Sequence, residues 1–517
     1  MAALRGAAAA LAALLAPDLT GLGQGVNPVE SRPNVLMIAV DDLRPMLGCY
    51  GDPVALTPNL DRLAARSVVF DRAYCQFAKC GPSRLSVLGG LRPESVGVFT
   101  HSERDMRRFR ESHAAAPNLP RWFREHGYHA QSFGKIEHSG WELAGDWSAP
   151  PFTGRENEML EIADEAALAG VPFAERAKIP TLIGPRDDCP ATQAPEVPDE
   201  ALFDGRMTTR AVGTLGELAS GDKPFLLAVG YHRPHLPLVA PKAYYDRYRP
   251  DSSWLPENRD PPADAPIFAW FSSDTYAGFA KRVGLKMPDP PRSAAEGAAW
   301  NGFELRSYRG VPCSGEIEDA LQLRIRRAYL ACVSYADAQA GRLLGELDRL
   351  GLWESTIVVL WADHGWHLGE QSAWTKMTNY EVATRVPLMI AAPGRADAAG
   401  HTSSFAELVD LYPTLCDLAG LPKPEHLEGD SLAPILDDPK AAVKTFARSQ
   451  FPRRKETLMG YAVRDERFRF VLWRDRKSGE VVARELYDHR TDPGETVNVA
   501  DRAEHAEAVA ALEALAR

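Results

Sequence analysis

The segment Cys80-Gly81-Pro82-Ser83-Arg84 combines a potential nucleophile with a permanent cation. Proline is favoured in the first turn of a helix, so we expect Cys80 to lie at a helix N-terminus. Unpaired backbone N–H groups and the helix dipole make that position suited to an anion. Arg84 follows four residues later on the same helical face, and its guanidinium keeps its proton at any working pH. The spacing therefore favours an anion-binding nucleophile, with an inert buried cysteine as the alternative.

Four apolar runs along the chain each end in polar residues that could do chemistry. The runs cover residues 34–40, 128–133, 225–229 and 356–361, and they are typical of strands buried on both faces of a parallel sheet. The polar residues at or just beyond their ends are Asp41, Asp42, Lys135, His138, His232, Asp363 and His364. Ligands bind outside the carboxyl ends of such strands, so we expect these side chains to meet at one edge of the sheet.

Three of these residues are carboxylates, and together they predict a metal site. Asp41, Asp42 and Asp363 would repel one another at one edge and raise each other's pKa. A hard divalent cation removes that repulsion, and oxygen-rich, flexible coordination favours Ca²⁺ over Mg²⁺. A turn or a strand-end cap would explain the first pair of aspartates alone. The second acidic cluster, on a different strand, favours the metal.

The segment around Cys80 resembles the Cys-x-Pro-Ser-Arg signature of the sulfatase family, in which the cysteine is converted to formylglycine. Residues 88–93 resemble the continuation of that signature. Over almost the whole exported length, the chain is similar to the iduronate-2-sulfatase branch of this family. The matching stretches are residues 40–44, 47–51, 134–138, 228–235, 363–370, 374–376 and 407–414.

The resemblance implies a set of roles for the residues at the sheet edge. The implied calcium ligands are Asp41, Asp42, Asp363, His364 and the modified Cys80, with His364 standing where other sulfatases more often have asparagine. The implied sulfate pocket consists of Arg84, Lys135, His138, His232 and Lys376. Three neighbouring side chains, Arg233, His235 and His367, are interpreted as structural or rim residues.

The resemblance also implies a reaction and its partners. The hydrated aldehyde of residue 80 would attack sulfur, His232 would protonate the leaving alcohol, and His138 would accept a proton during sulfate release. The expected substrate is a sulfated oligosaccharide or polysaccharide that carries 2-O-sulfate on uronic acid, and a formylglycine-generating or equivalent enzyme would mature Cys80.

Two alternatives to this function stay open. A phosphonate or phosphate monoester hydrolase of the same superfamily can carry the same motif. A non-catalytic glycan-binding protein would be expected to lack a ligand or the nucleophile, and neither is missing here.

The elements that position these residues alternate along the chain. Helical patterns over residues 55–70, 118–126 and 316–350 lie between the apolar runs, which predicts an α/β fold with a large, mainly parallel or mixed sheet flanked by helices. From about residue 445, three strands are predicted at 458–463, 467–473 and 481–486, followed by a helix at 503–516. We therefore predict a catalytic domain at residues 26–444 and a smaller C-terminal α+β subdomain at 445–517 with an antiparallel sheet.

Composition narrows the class of protein further. A net charge of −11 and an isoelectric point near 5.7 argue against a nucleic-acid partner, because nucleic-acid-binding proteins usually carry a basic stripe. A basic start followed by a short apolar stretch predicts a signal peptide at residues 1–25, and no other stretch is long enough to span a membrane. We expect an exported chain, periplasmic or secreted.

The 7 cysteines are scattered along the chain, and their spacing specifies no disulfide framework.

Overall fold

Short apolar runs build the strands, because they can be covered on both faces. The computed structural model describes residues 32–138, 140–153, 190–282 and 284–516, and the predicted signal peptide lies outside these ranges. The strands are β1 (Asn34–Val40), β2 (Val68–Tyr74), β3 (His129–Gly134), β4 (Thr192–Gln193), β5 (Phe225–Tyr231), β6 (Leu238–Val239), β7 (Thr356–Ala362), β8 (His367–Leu368), β9 (Trp374–Thr375), β10 (Arg385–Val386), β11 (Leu388–Ala391), β12 (Gly400–Glu407), β13 (Ala447–Arg453), β14 (Leu458–Arg464), β15 (Phe468–Asp475) and β16 (Val481–Asp488).

The central sheet is mixed, as predicted. Its order is β10-β2-β11-β7-β1-β5-β3, and β12 also pairs with β2. The four strands β3, β5, β1 and β7 are parallel neighbours. Strand β11 runs antiparallel to β7 and β2. The parallel half contains the four apolar runs that the sequence analysis identified as strands.

The register of the parallel strands brings their carboxyl ends to one level. Val40 at the end of β1 pairs with Tyr231 of β5 on one side and with Ala362 of β7 on the other. Gly134 at the end of β3 pairs with Gly230 of β5. The residues that follow these four strands therefore emerge at the same edge of the sheet.

Helices flank the sheet, and the longest has 32 residues. The helices are α1 (Pro58–Ala64), α2 (Cys80–Gly89), α3 (Pro93–Val96), α4 (Glu103–Ala115), α5 (Leu119–Glu125), α6 (Phe203–Ala219), α7 (Lys242–Tyr245), α8 (Ile267–Trp270), α9 (Ala277–Arg282), α10 (Ala294–Trp300), α11 (Phe303–Arg306), α12 (Asp319–Leu350), α13 (Glu381–Thr384), α14 (Leu411–Leu418), α15 (Ala433–Asp437) and α16 (Ala506–Leu515). Helix α12 packs against α6 and α1, and α6 also contacts β3 and β5.

The chain after residue 445 forms an antiparallel sheet in the order β13-β14-β15-β16, as predicted. Helix α16 packs on β15. The first strand, β13, was not predicted. Strand β13 pairs with β14 and also contacts β2 and β12 of the central sheet.

Two further features bear on the expected location of the chain. Among the helices in the described ranges, none is long and apolar enough to cross a bilayer. The six cysteines within those ranges (Cys49, Cys75, Cys80, Cys313, Cys332 and Cys416) are unpaired, and Cys189 lies outside them.

Candidate active site

Cys80 is the first residue of α2, as its proline spacing predicts. Its side chain is buried, and its Sγ lies 3.3 Å from His364 Nε2. Two ammonium groups, Lys135 Nζ and Lys376 Nζ, each lie 3.7 Å from the same sulfur. Burial raises the pKa of the Cys80 thiol to about 12. An unmodified Cys80 is therefore a protonated thiol at neutral pH and a poor nucleophile.

Three carboxylates converge beside Cys80 and are fully buried. Asp41 and Asp42 follow β1, Asp363 follows β7, and the Asp42 N–H donates to Asp363 Oδ1 at 3.2 Å. Asp42 has a φ of 60°, a left-handed conformation that aspartate tolerates better than most residues. This turn lets two consecutive aspartates face the same site.

Arg84 holds the carboxylates in place. Its Nε donates to Asp363 Oδ2 at 3.0 Å, and Nη2 donates to Asp41 Oδ1 at 3.1 Å. Its Nη1 donates to the backbone carbonyls of Lys135 and Ile136. All three nitrogens are engaged, and the side chain is 1% exposed. These contacts give Arg84 a positioning role toward Asp41 and Asp363, and its expected contact with sulfate stays a prediction.

Two lysines bring positive charge to the same centre. Lys135 Nζ forms an ion pair with Asp41, and Lys376 Nζ lies 2.7 Å from Asp42 Oδ1. Burial opposes the charge of Asp41, but the cations Lys135 and Arg84 outweigh it and hold the pKa of this carboxyl well below its usual range. Burial likewise opposes the charge of Lys376, yet Asp42 raises the pKa of the lysine well above its usual value. Both lysines and Asp41 are therefore charged at neutral pH.

His364 completes a group of possible metal ligands. The ligand atoms of Asp41, Cys80, Asp363 and His364 all lie within 4.8 Å of one another. His364 Nδ1 lies 3.0 Å from the Gly365 carbonyl, which assigns the ring proton to Nδ1 and leaves the Nε2 lone pair directed at the group. Carboxylate-rich donors of this kind fit a hard divalent cation such as Ca²⁺.

The charges of the site bear on how it could bind an anionic substrate. The cluster combines three acidic side chains (Asp41, Asp42 and Asp363) with three cationic side chains (Arg84, Lys135 and Lys376), and burial raises the pKa of Asp42 well above its usual value. A divalent cation would leave it positive overall. The site could then attract an anionic substrate even though the whole chain is acidic.

The structure places His235, interpreted from the sequence as a structural or rim residue, beside the acidic group of the site. His235 Nε2 lies 3.9 Å from Asp42 Oδ2, and the ligand atoms of His235, Asp41, Asp42 and Cys80 lie within 4.8 Å of one another. Its Nδ1 lies 2.6 Å from the Leu236 carbonyl, so the lone pair of Nε2 faces the centre. The side chain is 23% exposed, so solvent or substrate can reach it.

His232, which was predicted to contact sulfate, faces a different residue. Its Nδ1 lies 3.6 Å from Asp204 Oδ1, and its ring packs edge-on against Phe203. The same Asp204 carboxylate accepts hydrogen bonds from the His232 and Arg233 backbone N–H groups. Within the described residues, no hydrogen bond or ion pair joins His232 to Cys80 or to the three site aspartates.

His138 lies at the edge of the site and stacks on His101 with ring centroids 3.6 Å apart. Burial lowers the pKa of His138 well below its usual value, and the charge of Lys135 adds to this effect. His101, which the sequence analysis missed, is exposed and its Nε2 accepts a hydrogen bond from the Gly81 N–H at 3.1 Å. No motif singles out His101, because only the fold brings it beside α2.

Lys376 lies in a strained turn. The residues on either side of it, Thr375 and Met377, have φ values of 74° and 76°, which are unfavourable for side chains of their type. The Met377 N–H donates to the Ala78 carbonyl at 3.2 Å. Arg469 of the C-terminal sheet donates to the Asn379 carbonyl at 2.9 Å. Such strain persists only where surrounding contacts fix the backbone, and here two separate elements do so.

Comparisons with known proteins agree with this arrangement. The family model described as Sulfatase matches residues 33–421, and the one described as N-sulphoglucosamine sulphohydrolase, C-terminal, matches residues 369–516. The chain is 31% identical to the iduronate 2-sulfatase of Mus musculus, covering 94% of each protein. It is 30% identical to a sulfatase of Formosa agariphila, covering 95% of this chain and 87% of that one. Among solved structures, a phosphonate monoester hydrolase from Silicibacter pomeroyi is 26% identical, with a TM-score of 0.67 and 94% of each chain covered.

Proposed function

The chain belongs to the sulfatase family and is a sulfuric ester hydrolase, and on this premise we propose that it removes 2-O-sulfate from uronic acid in a sulfated oligosaccharide or polysaccharide. We further propose that it uses Ca²⁺ and a formylglycine made from Cys80. The observation that carries the proposal is the position of Cys80, which starts a helix between two lysines and beside three buried carboxylates.

The residues at the site fit both groups. Asp41, Asp42, Asp363 and His364 would hold the calcium, together with residue 80. When present, calcium would supply positive charge against the sulfuryl oxygens, and formylglycine would supply an oxygen nucleophile. Because Cys80 must be modified, a formylglycine-generating or equivalent enzyme is a required partner. The short apolar N-terminal segment supports export to the periplasm or outside the cell.

The chain's own residues perform the remaining tasks. Lys135 and Lys376 approach residue 80 from separate loops, so their ammonium groups can bind the sulfuryl oxygens and stabilise negative charge that develops there. Arg84 fixes Asp41 and Asp363 and thereby the shape of the cation site. His138 is held neutral beside this centre and can accept a proton during sulfate release.

We propose that His235 replaces His232 in proton transfer at the leaving oxygen. Because its ring proton is on Nδ1 and burial lowers the pKa of this histidine well below its usual value, Nε2 would first receive a proton during nucleophilic attack and then pass it to the leaving oxygen. His235 Nε2 faces the group formed by Asp41, Asp42 and Cys80, and its side chain is partly accessible. His232 Nδ1 lies near Asp204, and among the described residues its Nε2 has no hydrogen-bond partner. The exchange of roles rests on which ring nitrogen reaches residue 80.

The substrate assignment draws on the relatives, two of which carry the name iduronate 2-sulfatase and match over at least 90% of each chain. Because one related structure is a phosphonate monoester hydrolase, hydrolysis of a phosphonate monoester is the second candidate reaction. A sulfate monoester and a phosphonate monoester both present a tetrahedral anion, so the inner site alone does not separate them.

A substrate panel tests the proposal. Purified, matured enzyme should hydrolyse 2-O-sulfated uronate faster than 6-O-sulfated hexosamine, a simple aryl sulfate or a phosphonate monoester at equal concentration. Released sulfate or phosphonate is the measurement. If 6-O-sulfated hexosamine is turned over fastest, the substrate is wrong although the sulfatase reaction stands. A faster phosphonate reaction would favour the second class.

The assignment of the two histidines makes a separate prediction. His235→Gln should lower kcat by about 10²–10⁴-fold, the usual range for loss of a general acid–base group. His232→Gln is the matched control on the same loop and should lower kcat much less, because among the described residues neither ring nitrogen of His232 is hydrogen-bonded to residue 80 or to the site aspartates. The loss at His235 should shrink with an aryl sulfate whose leaving group needs no proton. Equal losses in both variants, or a larger loss at His232, would restore the assignment drawn from sequence.

A further inference from the structure

Lys79 is a buried cation that the reaction described above does not use. It precedes Cys80 directly, caps the start of α2 in an extended conformation, and is 8% exposed. Within the described residues, its ammonium group has no carboxylate at ion-pairing distance and no hydrogen-bond acceptor. The other three cations of the site, Arg84, Lys135 and Lys376, all pair with aspartates.

An ammonium group on a largely buried side chain is unfavourable, because burial removes part of its hydration without supplying a counter-charge, and this burial lowers the pKa of Lys79. Glu304 and Glu456 act on Lys79 only at longer range, and Lys376 Nζ already lies 4.0 Å from Glu304. The free protein therefore contains a cation whose partner is missing. A ligand that brings an anion to this point would relieve the cost.

The position of Lys79 indicates what that ligand is. Its backbone lies between Ala78, whose carbonyl accepts a hydrogen bond from the Lys376 loop, and Cys80. Its charge acts on Cys80 and Lys376 and also on His138 at the edge of the site. A substrate whose sulfate meets residue 80 can then place an adjoining charged group near Lys79.

We propose that Lys79 binds a second anionic group of the substrate, next to the sulfate that is cleaved. This inference rests on the proposed function, under which that group is the carboxylate of the sulfated uronic acid. A sulfate on a neighbouring sugar has the same chemistry and is the other possible source. Lys79 is then a specificity-determining residue, because a neutral sugar would leave its charge unpaired in the complex.

The test compares substrates rather than a single rate. For Lys79→Met, the ratio of kcat/KM on 2-O-sulfated uronate to kcat/KM on an aryl sulfate should fall about tenfold or more, mainly through KM. Lys79→Arg keeps the charge and should retain most of the preference. Lys423→Met, an exposed lysine paired with Asp417, is the control and should leave the ratio unchanged.

Two further measurements separate the possible readings. With the wild-type enzyme, a substrate whose uronate carboxylate is methylated should lose its advantage over the aryl sulfate. If that advantage instead depends only on a sulfate on the neighbouring sugar, that sulfate and not the carboxylate is the ligand of Lys79. The thermal midpoint of Lys79→Met without substrate should be unchanged or higher, because an unpaired buried charge is removed. A purely structural lysine would lower it.

The inference is overturned if Lys79→Met keeps the wild-type substrate ratio, or if it loses activity equally on all sulfate esters. Failure of the proposed function looks different. In that case the wild-type enzyme itself shows no preference for uronate or no sulfatase activity, irrespective of the residue at position 79.

Discussion

Replacement of Cys80 by alanine is expected to reduce sulfate ester hydrolysis on the order of 10⁴-fold or more, because residue 80 is the nucleophile. The fold should survive, since the substitution removes one buried sulfur whose polar contacts are with His364 and two lysines. We expect a change in the free energy of unfolding of about 1 kcal/mol, typical of a small buried substitution. Kinetics and chemical denaturation measure the two effects separately.

Peptide mass analysis of the active wild-type protein provides the decisive control. Residue 80 should carry the mass of formylglycine, because a protonated thiol with a pKa near 12 is a poor nucleophile and lacks the second oxygen needed to release sulfate. Cys80→Ser should also be inactive over repeated turnovers, since a serine would remain sulfated. Full activity in protein that contains only unmodified Cys80 would exclude the mechanism.

Removal of divalent metal is expected to abolish activity, and calcium should restore it more readily than zinc because the donors are mainly carboxylates. Calcium should also stabilise the folded protein, by about 2.7 kcal/mol at a free concentration one hundred times Kd. The rise in thermal midpoint reports binding without any need for turnover.

Variants of the carboxylates locate the ion. Asp41→Asn and Asp363→Asn should each weaken the calcium-dependent rise in thermal midpoint, because each removes one charged donor from a buried group. Asp437→Asn changes an exposed aspartate paired with Arg395 and is the matched control. Undiminished activity in thoroughly demetallated protein would contradict the proposal, as would an equal calcium response in all three variants.

The related phosphonate monoester hydrolase has a similar fold, and its reaction attacks phosphorus instead of sulfur. Both reactions need a nucleophile and positive charge against a tetrahedral anion, so the central residues of this chain do not distinguish the two substrates. Discrimination must come from side chains that read the rest of the substrate. Lys79 is such a side chain, because it is close to residue 80 yet is not paired with the central aspartates.

Local pattern was sufficient for the elements that carry the site. The four apolar runs are β1, β3, β5 and β7, and the helix predicted to start at Cys80 does so. Patterns worked here because buried parallel strands need continuous apolar sequence and proline marks a first helical turn. Prediction failed where a helical pattern and a β-branched, strand-forming run occurred in the same segment. The helix expected over residues 55–70 ends at Ala64, since the β-branched run from Val68 pairs with β11 and β12 as β2.

Local sequence was enough to predict which residue types lie at the sheet edge, the order in which the strands deliver them, and the family whose motif they resemble. Tertiary structure decided which of these side chains face one another. It directed Arg84 to two aspartates, turned His235 toward Asp42 and His232 toward Asp204, and left Lys79 without a partner. The physical reason is that orientation depends on contacts between residues hundreds of positions apart, such as Arg84 with Asp363 and Lys376 with Asp42. Neighbouring residues in the sequence do not indicate which distant side chains will be in contact.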